Sequence, residues 1–193
     1  GGSMSDEAGN ALVTALNGVG STTAILVDAV APTISSVATP AANTYIIGEA
    51  LNFTVNTSEV VTVNTTGGTP SLPVTIGSTV RQASYLSGSG STALLFRYTV
   101  QNGDLDSDGI SPAAVATNGG TLRDAAGNNM ATALNSVGNT ASVLVDGVIP
   151  GVTGIALSGT PAGNAASISF VASFDETVNN LSSDDFTLTT VSG

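Results

Sequence analysis

Asp6–Pro32 reads DEAGNALVTALNGVGSTTAILVDAVAP, and Asp124–Pro150 reads DAAGNNMATALNSVGNTASVLVDGVIP. The second block follows 118 residues after the first without a gap, and 16 of its 27 positions are identical. A further match follows each block. Pro40–Asn43 (PAAN) corresponds to Pro161–Asn164 (PAGN), and Phe53 with Glu59-Val60-Val61 corresponds to Phe170 with Glu176-Thr177-Val178. Two ordered matches at nearly one spacing identify an internal repeat. Its length is too great for a solenoid unit and suits an independently folding domain. The expected division is therefore a cloning remnant at 1–4, the C-terminal tail of a preceding repeat at 5–30, a complete repeat at 31–146, and the N-terminal part of a following repeat at 147–193.

Inside the complete repeat the hydrophobic period is two rather than 3.6. Leu51, Phe53 and Val55 alternate with Asn52 and Thr54, and Leu94, Phe96, Tyr98 and Val100 alternate with Leu95, Arg97 and Thr99. Gly, Asn, Asp and Pro interrupt the pattern at Gly67-Gly68, Ser87–Gly90 and Asn118–Gly120, as turn chemistry requires. The expected strands are 33–38, 50–56, 59–64, 72–76 with 80–87 as a bent pair, 92–100, 111–117 and 141–146. A helical turn is expected near Met130–Leu134. The expected fold is all-β, an immunoglobulin-like β-sandwich in a tandem repeat array, with partial repeats at both ends. The tail fragment offers one strand, about 22–28. The following fragment offers three, about 152–157, 166–173 and 185–190. Neither closes a sandwich alone, so open edges are expected to pair between copies, with each other, or to be weakly ordered.

Composition narrows the chemistry. The 193 residues carry 14 Asp plus Glu against 3 Lys plus Arg, a net charge of −11, with 41% hydrophobic and only 4% aromatic residues. The cations are Arg81, Arg97 and Arg123. Contacts to a phosphate backbone need cationic side chains, so nucleic acid and anionic membrane surfaces are poor partners. The absence of His, Cys and Lys removes imidazole catalysis, thiolate chemistry, disulfides and Schiff bases. No stretch approaches the roughly 20 apolar residues of a membrane span. Carboxylates, amides and hydroxyls remain, hard oxygen ligands suited to calcium or magnesium. The tempting glycosidase pair, Asp184-Asp185, points to opposite sides of an extended chain, and no enzymatic activity is expected.

The carboxylates cluster. Asp104-Leu105-Asp106-Ser107-Asp108-Gly109 forms a D-x-D-x-D-G string. Each pair of such charges costs roughly 4 kcal/mol at about 4 Å and an effective dielectric near 20, and a divalent cation converts that cost into ligation. The spacing matches the first half of an EF-hand loop, but the twelfth position is Val115 rather than Glu. The alternative is a solvated acidic turn. Sandwich topology would bring Asp104, Asp106 and Asp108 near Asp146 and the linker Gly147–Pro150, where Asp175 and Glu176 should arrive. At the other end Asp28, Glu59, Asp124 and Asn128 would form a second oxygen-only cluster, although D-A-A-G-N is also a good turn sequence.

The strings L-V-D-x-x-x-P, R-D-A-A-G-N, S-E-V-V, N-G-D-x-D-x-D-G-I and D-D-F-T-L resemble the bacterial Ig-like repeats of very large cell-surface adhesins, of the biofilm-associated and repeats-in-toxin type. The resemblance covers nearly the whole chain. It implies extracellular extender modules on a bacterial surface, stiffened by Ca2+ at their junctions and contacting neighbouring repeats of the same chain. The linker aspartates of that family match Asp28 and Asp146, the acid after the second strand matches Glu59 and Glu176, and the turn matches Asp124 and Asn128. A calcium-dependent glycan- or surface-binding module is the alternative. It would stack sugars on exposed aromatics, for which Tyr45 and Tyr85 are the candidates.

Overall fold

The computed structural model describes residues 2–187 and 189, and the chain divides into two compact units, Gly1–Val30 and Ala31–Gly193. Among the described residues the second unit holds twelve strands, more than the alternation predicts. They are β1 (Ile34–Ala38), β2 (Asn43–Ile46), β3 (Ala50–Asn64), β4 (Ser71–Ile76), β5 (Thr79–Ser87), β6 (Ser91–Thr99), β7 (Leu105–Asp106), β8 (Ser111–Pro112), β9 (Thr121–Arg123), β10 (Val143–Asp146), β11 (Val152–Leu157) and β12 (Phe170–Phe174). One sheet runs β1-β3-β6-β5-β4-β8 with β9 joined to β3, and a second runs β2-β10-β7. The fold is all-β with curled, mainly antiparallel sheets, consistent with a β-sandwich. Among the described residues the helical content is a single 3-10 turn, Ser183–Asp185, and no helix is long and apolar enough to cross a membrane.

Period two sorts the side chains. Leu51, Phe53 and Val55 on β3, Leu94, Phe96 and Tyr98 on β6, and Leu72, Val74 and Ile76 on β4 face one core. β10 adds Val143 and Val145, the residues that bracket Leu144 in the sequence. Tyr85 meets Phe96 edge to face, with ring centroids 5.8 Å apart at 71°, the geometry favoured by aromatic quadrupoles.

Several strand limits differ from the expectation for physical reasons. The two strands expected at 50–56 and 59–64 are one strand, β3, with an irregularity between Asn56 and Val61 opposite Ala93 and Ser91. Past that bulge β3 leaves β6 and pairs with β9, so one strand serves β1, β6 and β9. β2 escaped notice because its ladder partner is the distant β10, in a parallel pairing. The strand expected at 111–117 shrinks to β8, since Pro112 lacks a ladder donor, and resumes as the isolated Ser71–Ala116 bridge. No helical turn forms at 130–134. There Ala131 N–H donates to Pro32, Val115 N–H donates to Thr132, and Met130 sits in the core. Distant partners satisfy this backbone in place of i−4 carbonyls.

In the unit Gly1–Val30 the strand expected at 22–28 is absent. The same letters, L-V-D, end β10 at Leu144–Asp146. In β10 they are held between β2 and β7, partners with no counterpart in Gly1–Val30. In the following fragment β11 meets the expected limits, the second strand is β12 at 170–174, and the third, expected at 185–190, lies partly outside the described residues.

A polar network fixes one end of the core. Asp104 accepts from Arg81 Nε at 2.7 Å and forms an ion pair with Arg81 at 2.6 Å, while its other oxygen accepts from Tyr98 Oη at 2.6 Å and Gln101 N–H at 2.9 Å. Burial pushes the Asp104 carboxyl upward, but Tyr98, Gln101 and Arg81 together hold it below the ordinary 3.8. Burial and the neighbouring carboxylate push the Tyr98 hydroxyl up to about 12. A depressed folded pKa adds stability above the unfolded value and loses it as pH falls through the folded one. Urea midpoints should therefore drop between about pH 4 and pH 2 in the wild type, and less steeply in Asp104→Asn. Arg81→Ala, which strands a buried carboxylate, should cost about 3–5 kcal/mol at pH 7; a cost near zero would contradict the network.

Candidate metal centre

The D-x-D-x-D-G string is placed where the sequence put it, beside the last strand and the linker. Leu105 and Asp106 pair with Asp146 and Val145 in β7–β10, Gly147 N–H donates to the Asp104 carbonyl, and Gly103 N–H donates to the Gly147 carbonyl. The side chains, however, divide. Asp106 stands opposite Val145 and shares its buried face, while Asp146 stands opposite exposed Leu105, one residue out of phase. Alternate residues of a strand point to opposite faces, so Asp146 turns away from Asp106.

Protein donors occupy the two buried acids of the string. Asp104 has the four contacts described above. Asp106 accepts from Gly77 N–H at 2.6 Å, Gly109 N–H at 2.7 Å and Asp108 N–H at 3.2 Å. It thereby ties the β4–β5 turn to this loop. Gly77 is required there, since its φ is +55° and a Cβ would lie 2.4 Å from the Leu105 carbonyl oxygen. Asp108 is exposed. The role of Arg81 and Tyr98 was missed in the sequence. The only signal was the scarcity of cations, which makes each one a candidate partner for a buried acid.

At the other end of the complete repeat, Glu59 lies on the β3 bulge, where its carbonyl accepts from Thr57 Oγ1 at 2.6 Å. Asp124 follows β9, which pairs Arg123 with Thr62, and carboxylate oxygens of Glu59 and Asp124 lie within 4.8 Å of each other. Asp124 opens the D-A-A-G-N turn. Its Oδ1 accepts from Gly127 N–H at 2.7 Å and Asn128 N–H at 2.8 Å, and its Oδ2 accepts from Asn128 Nδ2 at 2.7 Å. Burial raises the Asp124 carboxyl, but the Asn128 side chain and these amides lower it overall.

In the first unit the corresponding turn is built alike. Asp6 accepts from Asn10 N–H and Asn10 Nδ2, both at 2.8 Å. Asp28 accepts from Val30 N–H at 3.0 Å, as Asp146 accepts from Val148 N–H at 3.2 Å.

Asp146 and Glu176 lie at one cavity of about 350 Å³, lined also by Ile46, Ile47 and linker residues Val148, Ile149 and Pro150. Asp175 secures it from the side. Its Oδ1 accepts from Gly151 N–H at 2.6 Å and its N–H donates to the Gly151 carbonyl at 3.1 Å. Thr33 and Ser58 make the same reciprocal pair at the head of the complete repeat, at 3.0 and 2.8 Å. Glu176 Oε1 is buried and has no hydrogen-bond partner among the described residues. A carboxylate oxygen in that position is costly unless a proton or cation joins it. Asp146 and Glu176 are hard oxygen donors, which fit calcium or magnesium.

No family model, curated protein or solved structure matches this chain.

The D-A-A-G-N turn gives a paired test. Asp124→Ala leaves three donors without their acceptor beside the core and should lower the main melting transition. Asp6→Ala, on the exposed counterpart, should leave the main melting transition where it is. Equal effects in thermal melts would contradict this placement.

Proposed function

We propose that the chain is a structural extender segment of a large bacterial surface adhesin. In this reading the immunoglobulin-like sandwich recurs in tandem, and calcium bound at the junctions stiffens the array. The observation that carries the reading is Glu176 Oε1, a buried carboxylate oxygen without a partner among the described residues, lining one cavity with Asp146 beside the 147–150 linker. Asp28 and Glu59 repeat that pair in sequence. An ion held between a linker aspartate and the acid of the next domain restrains the angle between domains, which is what a stalk requires.

The same reading accounts for the residue types. Extracellular calcium stands in for disulfides in a chain with no Cys. The glycan-binding alternative draws less support, because Tyr45 and Tyr85 pack against the core.

Extracellular calcium modules bind with Kd of about 10⁻⁴–10⁻³ M, so millimolar calcium adds about 0.4–1.4 kcal/mol per site. Calorimetric titration and thermal melting with calcium, against magnesium and EDTA, should show saturable calcium binding and a Tm rise of about 1–5 °C. Small-angle scattering should show a narrower distribution of distances. Glu176→Gln, which relieves a buried charge, should melt no lower than wild type in EDTA and should bind one calcium fewer. Calcium that leaves melting and scattering unchanged, or that acts equally on Glu176→Gln at every site, would overturn the reading.

A further inference from the structure

The opening and closing segments of residues 31–146 run side by side in the same direction. Asn43–Ile46 of β2 pairs in parallel with Val143–Asp146 of β10, and Asn43 N–H donates to the Ser142 carbonyl at 3.1 Å. The pairing has an upstream part. Val37 bridges Val137 in parallel, Val37 N–H donates to the Ser136 carbonyl at 3.2 Å, and Gly138 N–H donates to the Val37 carbonyl at 2.9 Å. Val37–Val137 and Asn43–Val143 share one offset of 100 residues, so both parts belong to a single register.

Both outer ends of this pairing are anchored. The Pro32 carbonyl accepts from Ala131 N–H at 2.8 Å, and Thr33 and Ser58 bond reciprocally. At the other end Gly147 N–H donates to the Asp104 carbonyl at 2.6 Å, and the Gly147 carbonyl accepts from Gly103 N–H at 2.8 Å. Glycine is required for that approach, since a Cβ at Gly147 would lie 2.4 Å from the Gln101 carbonyl oxygen. Asp104 is itself held by Arg81 and Tyr98.

Direction decides how such a pairing bears load. In a tandem chain tension enters through Pro32 and leaves through Gly147, at opposite ends of two parallel segments. It drags one segment along the other, and the cross-strand bonds resist together. Tension applied to the same end of both segments would open the bonds one at a time. We propose that the pairing of 37–46 with 137–146 is a mechanical clamp, the element whose rupture sets how long the repeat survives under tension. Forced unfolding follows the unfolding rate and not the equilibrium stability, so these few bonds outweigh the rest of the core in that setting. The clamp rests on the stalk reading for the direction of the load, and it does not depend on calcium.

The absence of Cys leaves the full chain free for handles at chosen positions. Single-molecule force spectroscopy in EDTA compares Ala31→Cys with Val148→Cys, a pair that loads opposite ends, against Ala42→Cys with Ala141→Cys, a pair that loads the same end. All four side chains are exposed. At one fixed force the first pair should survive at least about tenfold longer, because several hydrogen bonds must break at once. Asn43→Pro removes the donor to Ser142 at the first residue of an edge strand, where proline is tolerated. It should shorten the first lifetime about fivefold, the weight of one hydrogen bond, and change the second less. Equal lifetimes in the two geometries, or a first lifetime unmoved by Asn43→Pro, would overturn the clamp. Calcium binding at Asp146 and Glu176 is read separately by titration, so the clamp and the calcium reading fail independently.

Discussion

The sheets of residues 34–146 depend on closing one core whose walls are far apart in sequence. β10 shows the constraint most clearly. Its four residues become a strand because β2 lies on one side and β7 on the other, about 100 and 40 residues upstream. With both in place, Val143 and Val145 are buried beside Val37 and Phe53. Residues 25–28 carry nearly the same letters in a unit that lacks those partners, and they form no strand. Strand formation here is a property of the neighbours, in line with the context dependence of β-propensity.

The turns obey a different rule. The Asp6–Asn10 and Asp124–Asn128 segments make the same Asp–Asn hydrogen bonds, one exposed and one against the core. Five residues contain all the donors and acceptors the turn needs, and Gly127, with φ +98°, supplies the left-handed conformation that other residues resist. Local chemistry fixes such turns, while partners distant in sequence fix strands such as β10. The reciprocal pairs Thr33–Ser58 and Gly151–Asp175 belong between the two extremes, since Thr33 precedes β1 and Ser58 lies within β3, while Gly151 precedes β11 and Asp175 follows β12.

This division explains what the sequence revealed. The alternation in 51–55 and 94–100 placed Phe53, Phe96 and their neighbours in the core, because period two is a local signal. β2 and β9 were not visible, as their partners lie 100 and about 60 residues away, and the bulge merging 50–56 with 59–64 leaves no mark in composition. Among the acids, spacing located the loop 104–108 beside the linker. It could not reveal that Asp104 would face Arg81 and Tyr98 while Asp146 faced away. Strand parity decides that, and a shift of one residue reverses it. Sandwich topology led to the expectation that Glu176 arrives beside Asp146, and the repeat aligns the two with Asp28 and Glu59.

The functional account turns on the oxygen of Glu176 that no protein donor among the described residues reaches. A crystal structure grown at millimolar calcium examines that atom directly. The account predicts an ion bonded to Glu176 Oε1 and to the Asp146 carboxylate, at about 2.3–2.6 Å as calcium requires. Glu176 hydrogen-bonded to protein or water, with no ion between it and Asp146 at saturating calcium, would contradict it.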